Sequence, residues 1–170
     1  MMEPLPEEEV RVDPIAELLD LPKEYGRPKK PMAWADAREM LATSMHYWFA
    51  TVRPDGRPHV VPRDGLWVDD ALFYGGSPET IHARNVAANP AVAFHVGEGL
   101  TAVIVEGEAR EADVDRSLAE RLAEAQGKYK AFGYPQDPEM FLQGGVLVVQ
   151  PRRAMAWTSY PADATRFLFV

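Results

Sequence analysis

A short run of small and polar residues, Gly75-Gly76-Ser77-Pro78-Glu79-Thr80, precedes the helix-forming stretch that runs from Ile81 to Asn89. It is the best anion site that the sequence offers. Ser77 suits a helix cap, Pro78 the first helical position, and Glu79 the positive end of the dipole. Free N–H groups at such a terminus attract a phosphate, and the two glycines let it come close. His82 and Arg84 follow at once, but they lie about 200° apart around an ideal helix, so both reach one phosphate only by wrapping around its end. One of the two is therefore expected to be structural. His82 is expected to be largely neutral at neutral pH unless a nearby anion raises its pKa.

No nucleophile accompanies this site. The chain has no cysteine, no G-x-S-x-G and no H-E-x-x-H, and His46, His59, His82 and His95 share no ligand spacing, so no metal site is expected. If the protein is an enzyme, the demanding chemistry falls to a bound redox cofactor, with the protein supplying position and electrostatics.

The elements that would position these residues are mainly strands. Tyr47 to Val52 and His59 to Val61 flank the turn Arg53-Pro54-Asp55-Gly56-Arg57, a hairpin signal, since Pro fixes φ, Asp bonds its own backbone and Gly accepts positive φ. A second hairpin joins Leu66-Trp67-Val68 to Ala71-Leu72-Phe73-Tyr74 through Asp69-Asp70. After the helix ended by Pro90 come strands at Val92–Val96, within Thr101–Arg110, at Val146–Val149 and at Met155–Trp157, with Phe167–Val170 a possible further one. Trp34, Ala37, Leu41 and Met45 recur at helical spacing, and Asp113 or Asp115 caps a second helix with Leu118, Leu122 and Ala125 on one face. Residues 1–31 read as an arm with the acidic run Glu7-Glu8-Glu9 and a short helix after Pro14, and residues 32–170 as one domain. The pattern predicts a mainly β (α+β) fold: six to eight antiparallel strands closing as a barrel, with flanking helices. Trp34, Trp48 and Trp67 are assigned to the core.

At 170 residues, 46% of them hydrophobic, the chain suits one compact domain. A net charge of -8 argues against a nucleic-acid partner. No signal peptide or long apolar span is evident, so a cytoplasmic protein without a membrane partner is expected.

Four stretches give a family resemblance. Trp48-Phe49-Ala50-Thr51-Val52-Arg53-Pro54-Asp55-Gly56-Arg57-Pro58-His59-Val60-Val61-Pro62 resembles the first hairpin of the pyridoxamine 5′-phosphate oxidase-like split β-barrels. Ala83-Arg84-Asn85-Val86-Ala87-Ala88-Asn89-Pro90 is similar to the helix after their third strand, and Val105-Glu106-Gly107 and Arg152 to Trp157 follow in the same order.

The resemblance implies a homodimer in which each cofactor lies at the subunit interface, its ring over the second and third strands and its phosphate near the helix beginning at Ser77. The cofactor-binding residues so implied are Val61, Pro62, Arg63, Gly76, Ser77, Thr80, His82, Arg84 and, from the partner subunit's late strand, the position of Trp157. It implies FMN, or alternatively the 8-hydroxy-5-deazaflavin coenzyme, and hydride transfer to or from a small organic substrate. Two departures stand out. The chain has Thr80 and His82 where such proteins commonly carry basic residues, and Arg63-Asp64 where apolar or aromatic residues often face the ring. That charge pair either meets a polar edge of the cofactor or fills part of its site. A non-catalytic flavin- or haem-binding dimer with a degenerate site, and a purely structural dimer, are the competing readings.

Overall fold

The computed structural model describes residues 13–170; the Glu7-Glu8-Glu9 run lies outside them. Nine strands and four α-helices follow in order: β1 (Ile15–Leu18), α1 (Trp34–Thr43), β2 (Tyr47–Val52), β3 (Pro58–Arg63), β4 (Leu66–Val68), β5 (Ala71–Tyr74), α2 (Ile81–Ala88), β6 (Ala91–Val96), β7 (Ala102–Glu111), α3 (Arg116–Ala125), α4 (Glu139–Leu142), β8 (Leu147–Trp157) and β9 (Thr165–Leu168). Every strand pairing is antiparallel.

The sheet runs β1-β9-β8-β7-β6-β2-β3, while β5 joins β4 to the first half of β8. The two-residue link Asp64-Gly65 connects β3 directly to β4, and β4 leads through β5 back to β8, so the sheet curls on itself as a split barrel. Strands β2, β6 and β7 show why: Tyr47, Phe49 and Thr51, then Val92, Phe94 and Val96, then Val103 and Val105, are all buried in a period of two. Phe49 and Phe94 stack with their ring centroids 6.3 Å apart. Helix α1 closes one mouth with Trp34, Ala37 and Leu41. A second apolar cluster, including Leu66, Phe73, Leu122, Tyr129 and Val148, lies under α3.

Several expectations are corrected. The segment after Pro14 is a strand, not a helix. Ile15 to Leu18 is bounded by Pro14 and Pro22, too short for a stable helix, and it finds the open edge of β9. This part of the arm thus belongs to the barrel sheet. The two late strands are one continuous β8. Pro151, which has no N–H to donate, is accommodated where the register shifts between Glu106 and Gly107. Gly107 is required there, because a Cβ on it would lie 2.1 Å from the Gln150 carbonyl oxygen. Of the three tryptophans assigned to the core, Trp34 and Trp67 are buried but Trp48 is 45% exposed on the outer face. Asp115, not Asp113, caps α3, accepting from the Leu118 N–H at 2.7 Å. Its fully buried residues are Ala119, Leu122 and Ala123, about a quarter turn from the expected face, of which Leu122 is buried and Leu118 and Ala125 pack partly buried against the same cluster.

The β4–β5 turn is built by Asp69 and Asp70, both at positive φ (51° and 55°), the backbone that two-residue hairpins favour. Asp70 accepts from Arg38 Nε at 2.8 Å and Trp34 Nε1 at 3.2 Å, and Asp69 pairs with Arg121 at 2.9 Å. The turn is thereby tied to both α1 and α3. Among the described residues no helix is long and apolar enough to cross a membrane.

Candidate functional site

Strand β3 ends at Arg63, and β5 ends at Tyr74 just before Gly75-Gly76. Their ends converge on the start of α2. The Arg63 guanidinium places Nη1 2.6 Å from His82 Nε2 and 3.1 Å from Nδ1. Its Nη2 donates to the Gly75 carbonyl, and its Cζ lies 5.0 Å from the centre of the Tyr74 ring. Guanidinium can only donate, so the ring nitrogen that faces it accepts and His82 is neutral. The electrostatics agree. His82 is buried, and desolvation, then the charges of Arg63 and His59, push its pKa down to about 4. Burial likewise lowers Arg63, and it raises Tyr74 to about 12 against the opposing pull of Arg63.

This cation has no ion-pair partner among the described residues. Arg63 Nε and the Tyr74 hydroxyl are both buried without a hydrogen-bond partner, a costly state unless something else supplies the acceptor. Gly76, at φ 145°, makes the approach possible: a Cβ on it would sit 2.8 Å from Arg63 Nη2.

Two hollows meet at Gly75, Gly76, Gly145 and Val146. One, of about 560 Å³, is walled by Arg63, Asp64, Tyr74, Tyr129, Tyr134 and Phe141. The other, of about 520 Å³, runs along α2 past His82 and Arg84 to Arg110 and Leu147. In the first, Tyr134 donates to Asp64 at 2.8 Å, which raises the tyrosine's pKa. Tyr129 donates to the carbonyls of Met45 and Gly65. Behind it Lys128 donates to the Ser44 carbonyl at 2.8 Å and is pushed down to about 8 by burial.

The expected site residues do not all come together. Arg63, Gly76 and His82 come together as a cationic corner. Ser77 and Thr80 lie beside it but bond to their own loop: Ser77 Oγ accepts from the Glu79 N–H and Thr80 Oγ1 donates to the Ser77 carbonyl. The helix consequently starts at Ile81 with Thr80 as its N-cap, not at Ser77, and no side chain caps its first N–H groups. Arg84 is exposed while His82 is buried, as expected for residues on different sides of α2. Val61 and Pro62 pair with Phe49 and Trp48 in β3.

Trp157 stands apart. It ends β8 opposite Ala102, whereas Leu147, at the other end of that strand, pairs with Tyr74. Ten residues of strand correspond to roughly 30 Å, so Trp157 does not join the corner of its own chain. Its ring packs on Tyr160 and its Nε1 is buried without a partner.

Tyr74, Tyr129, Tyr134 and Lys128 were not singled out by the sequence. Tyr74 is hidden in an ordinary strand pattern, and the other three lie between α3 and β8, Lys128 and Tyr129 in the short 3-10 segment Gln126–Phe132 and Tyr134 just beyond it, where no long period marks which side chains turn inward.

The architecture is shared with solved structures. A haem-binding protein from Mycobacterium smegmatis aligns at a TM-score of 0.63 with 22% identity, over 79% of this chain and 58% of that one. An F420 reductase aligns at 0.52 and 23%, over 69% and 94%. A NimC/NimA family protein from Clostridium acetobutylicum aligns at 0.57 and 18%, over 79% and 91%. Likeness at these identities concerns the fold. No curated protein matches the sequence. The family model described as pyridoxamine 5′-phosphate oxidase matches residues 33–158, which takes in the barrel from α1 through β8, the cationic corner included. The chain therefore belongs to the pyridoxamine 5′-phosphate oxidase family.

Proposed function

We propose that this protein is an oxidoreductase that binds a flavin-type cofactor, FMN or the 8-hydroxy-5-deazaflavin coenzyme, between two copies of the chain. The observation that carries the reading is the unpaired Arg63 guanidinium held at Gly75-Gly76 beside a neutral histidine. The residues fit the phosphate end of such a cofactor: an arginine without a carboxylate, an Nε lacking an acceptor, and a glycine whose missing Cβ lets the guanidinium lie against the backbone. The start of α2, with no side-chain cap, adds the positive end of a helix dipole.

When bound, the cofactor would supply hydride transfer to or from a small organic substrate. The protein's share is position and environment. Arg63 holds the anionic end, and Gly76 gives room for the guanidinium. His82 accepts from Arg63 and keeps the fork aimed. Tyr74 supplies a ring under the guanidinium and a hydroxyl free to donate. Val61 and Pro62 present the β3 surface, and the hollow beside Tyr129 and Tyr134 offers aromatic walls to a planar guest.

Dimerisation is part of the proposal. The outer face of β2 and β3 exposes Trp48, Val52 and Val60, with exposures of 45%, 37% and 54%. Ala50 and, on β6, Ala93 continue this face, with His95 between Trp48 and Ile104 and Glu106 of β7 beside Ala93 at its border. An apolar patch on β2 and β3 with a polar border suits a subunit interface, and a second copy would let the partner's Trp157 approach a site that its own chain's Trp157 does not reach.

The test is the visible spectrum of the purified protein, mass spectrometry of any small molecule released on denaturation, and titration with both cofactors. Saturable binding of either supports the reading. A protein that binds neither, with Arg63 simply filling the glycine cradle, is a non-catalytic member of the family.

A further inference from the structure

A groove of about 480 Å³ lies between the β2–β3 turn and the first half of α2, lined by Arg53, Arg57 and Arg84 together with Asp55, Ile81 and Asn85. Positive charge is concentrated here in a chain whose net charge is -8. Elsewhere acidic partners are plentiful: Arg38, Arg116, Arg121, Arg152, Arg153 and Arg166 each pair with a carboxylate. Arg53 and Arg84 form no ion pair and donate no side-chain hydrogen bond among the described residues. The one carboxylate in the groove, Asp55, is already held by Arg57 at 2.6 Å and also accepts from the Arg57 N–H at 3.1 Å.

The arrangement is fixed from both sides. In the turn, the Arg53 N–H donates to the Arg57 carbonyl at 2.9 Å and the Gly56 N–H to the Arg53 carbonyl at 2.8 Å. Helix α2 is pinned to β2 by a buried hydrogen bond from Asn85 Nδ2 to Thr51 Oγ1, 2.9 Å long. Arg53 and Arg84 are thus carried on two elements held to one another, and an anion in the groove that both line would meet two guanidinium groups. Two unpaired guanidinium forks match two adjacent anionic groups, and the exposed Ile81 and Pro54 give the groove an apolar side.

We propose that this groove is a second anion site, distinct from the Arg63–His82 corner, that binds a molecule carrying two or more neighbouring phosphate or carboxylate groups. The inference does not rest on the flavin reading. Inorganic pyrophosphate and citrate are the probes, titrated calorimetrically into the Arg63→Gln protein so that the other cationic corner does not contribute. Saturable binding of at least one is expected, weakened about tenfold or more by adding Arg53→Gln and Arg84→Gln, and weakened by raised salt. Preference for pyrophosphate identifies a diphosphate ligand, and preference for citrate a polycarboxylate. In the wild-type protein the same probe should shift the amide resonances of Gly56 and Asn85, a readout independent of whether Arg63→Gln folds. Binding that is undiminished by the double substitution, or no saturable binding with no shift at Gly56 and Asn85, overturns the proposal.

Discussion

Arg63 and His82 come from different elements, the end of β3 and the first turn of α2, yet Nη1 of one lies 2.6 Å from Nε2 of the other. The pair makes a cationic corner in which the histidine is the acceptor and the arginine the only charge. This arrangement places the charge on a residue that the strand pattern offers as a wall residue, and leaves the helix residue to orient it.

Arg63→Gln should weaken FMN binding by about tenfold or more while leaving the fold intact, since it removes a charge-assisted contact without opening the barrel core. Fluorescence titration of both proteins with FMN, alongside matched circular dichroism spectra, measures this. Equal affinities would detach the cofactor from this corner.

The His82 pKa, near 4 in the folded chain, lies below the ordinary histidine value of about 6.5. As pH falls from about 6.5 toward 4, the unfolded chain takes the proton first, so stability falls across that window and levels off below it. The loss attributable to His82 is about 3 kcal/mol. Urea denaturation at pH 7 and pH 5 should show a smaller decline in His82→Gln than in the wild type. A bound phosphate opposes Arg63's effect on His82, so cofactor should narrow the difference.

Thr51 and Asn85 are both buried, and their bond is the polar link between β2 and α2. Thr51→Val leaves the Asn85 amide without that acceptor and should cost about 1–3 kcal/mol in urea denaturation. The loss should be smaller in Thr51→Val paired with Asn85→Leu if the second change removes the stranded amide without strain.

Trp48→Asp places a charge in the middle of the exposed apolar face while leaving the barrel interior untouched. Sedimentation should find a dimer for the wild type and a monomer for the variant, and the monomer should bind FMN more weakly because the second copy's contribution is gone. A monomeric wild type would contradict the shared-site arrangement.

The barrel was legible because its interior obeys a strict period of two, from Tyr47 through Phe49 and from Val92 through Val96, and because the Asp55-Gly56 turn has unambiguous chemistry. What the sequence obscured was set by tertiary competition. The Ile15–Leu18 segment has no alternation of its own and takes its conformation from the edge of β9. The start of α2 slipped by three residues, because Ser77 spends its hydroxyl on the Glu79 N–H within the loop. Helical geometry separated His82 from Arg84 in advance, but nothing local to β3 announces that Arg63 turns toward His82, a contact made nineteen residues away. The tyrosines of the neighbouring hollow were hidden for the same reason: Tyr74 sits in a short all-buried strand and Tyr129 in a seven-residue 3-10 segment.

The most direct test compares FMN with riboflavin, which has the same ring but no phosphate, by fluorescence titration of the wild-type protein. If Arg63 and the start of α2 grip a phosphate, FMN binds at least about a hundredfold more tightly, as two charge-assisted contacts would give. Equal affinity for the two, or binding of neither FMN nor the deazaflavin coenzyme, would show that the cationic corner serves another purpose.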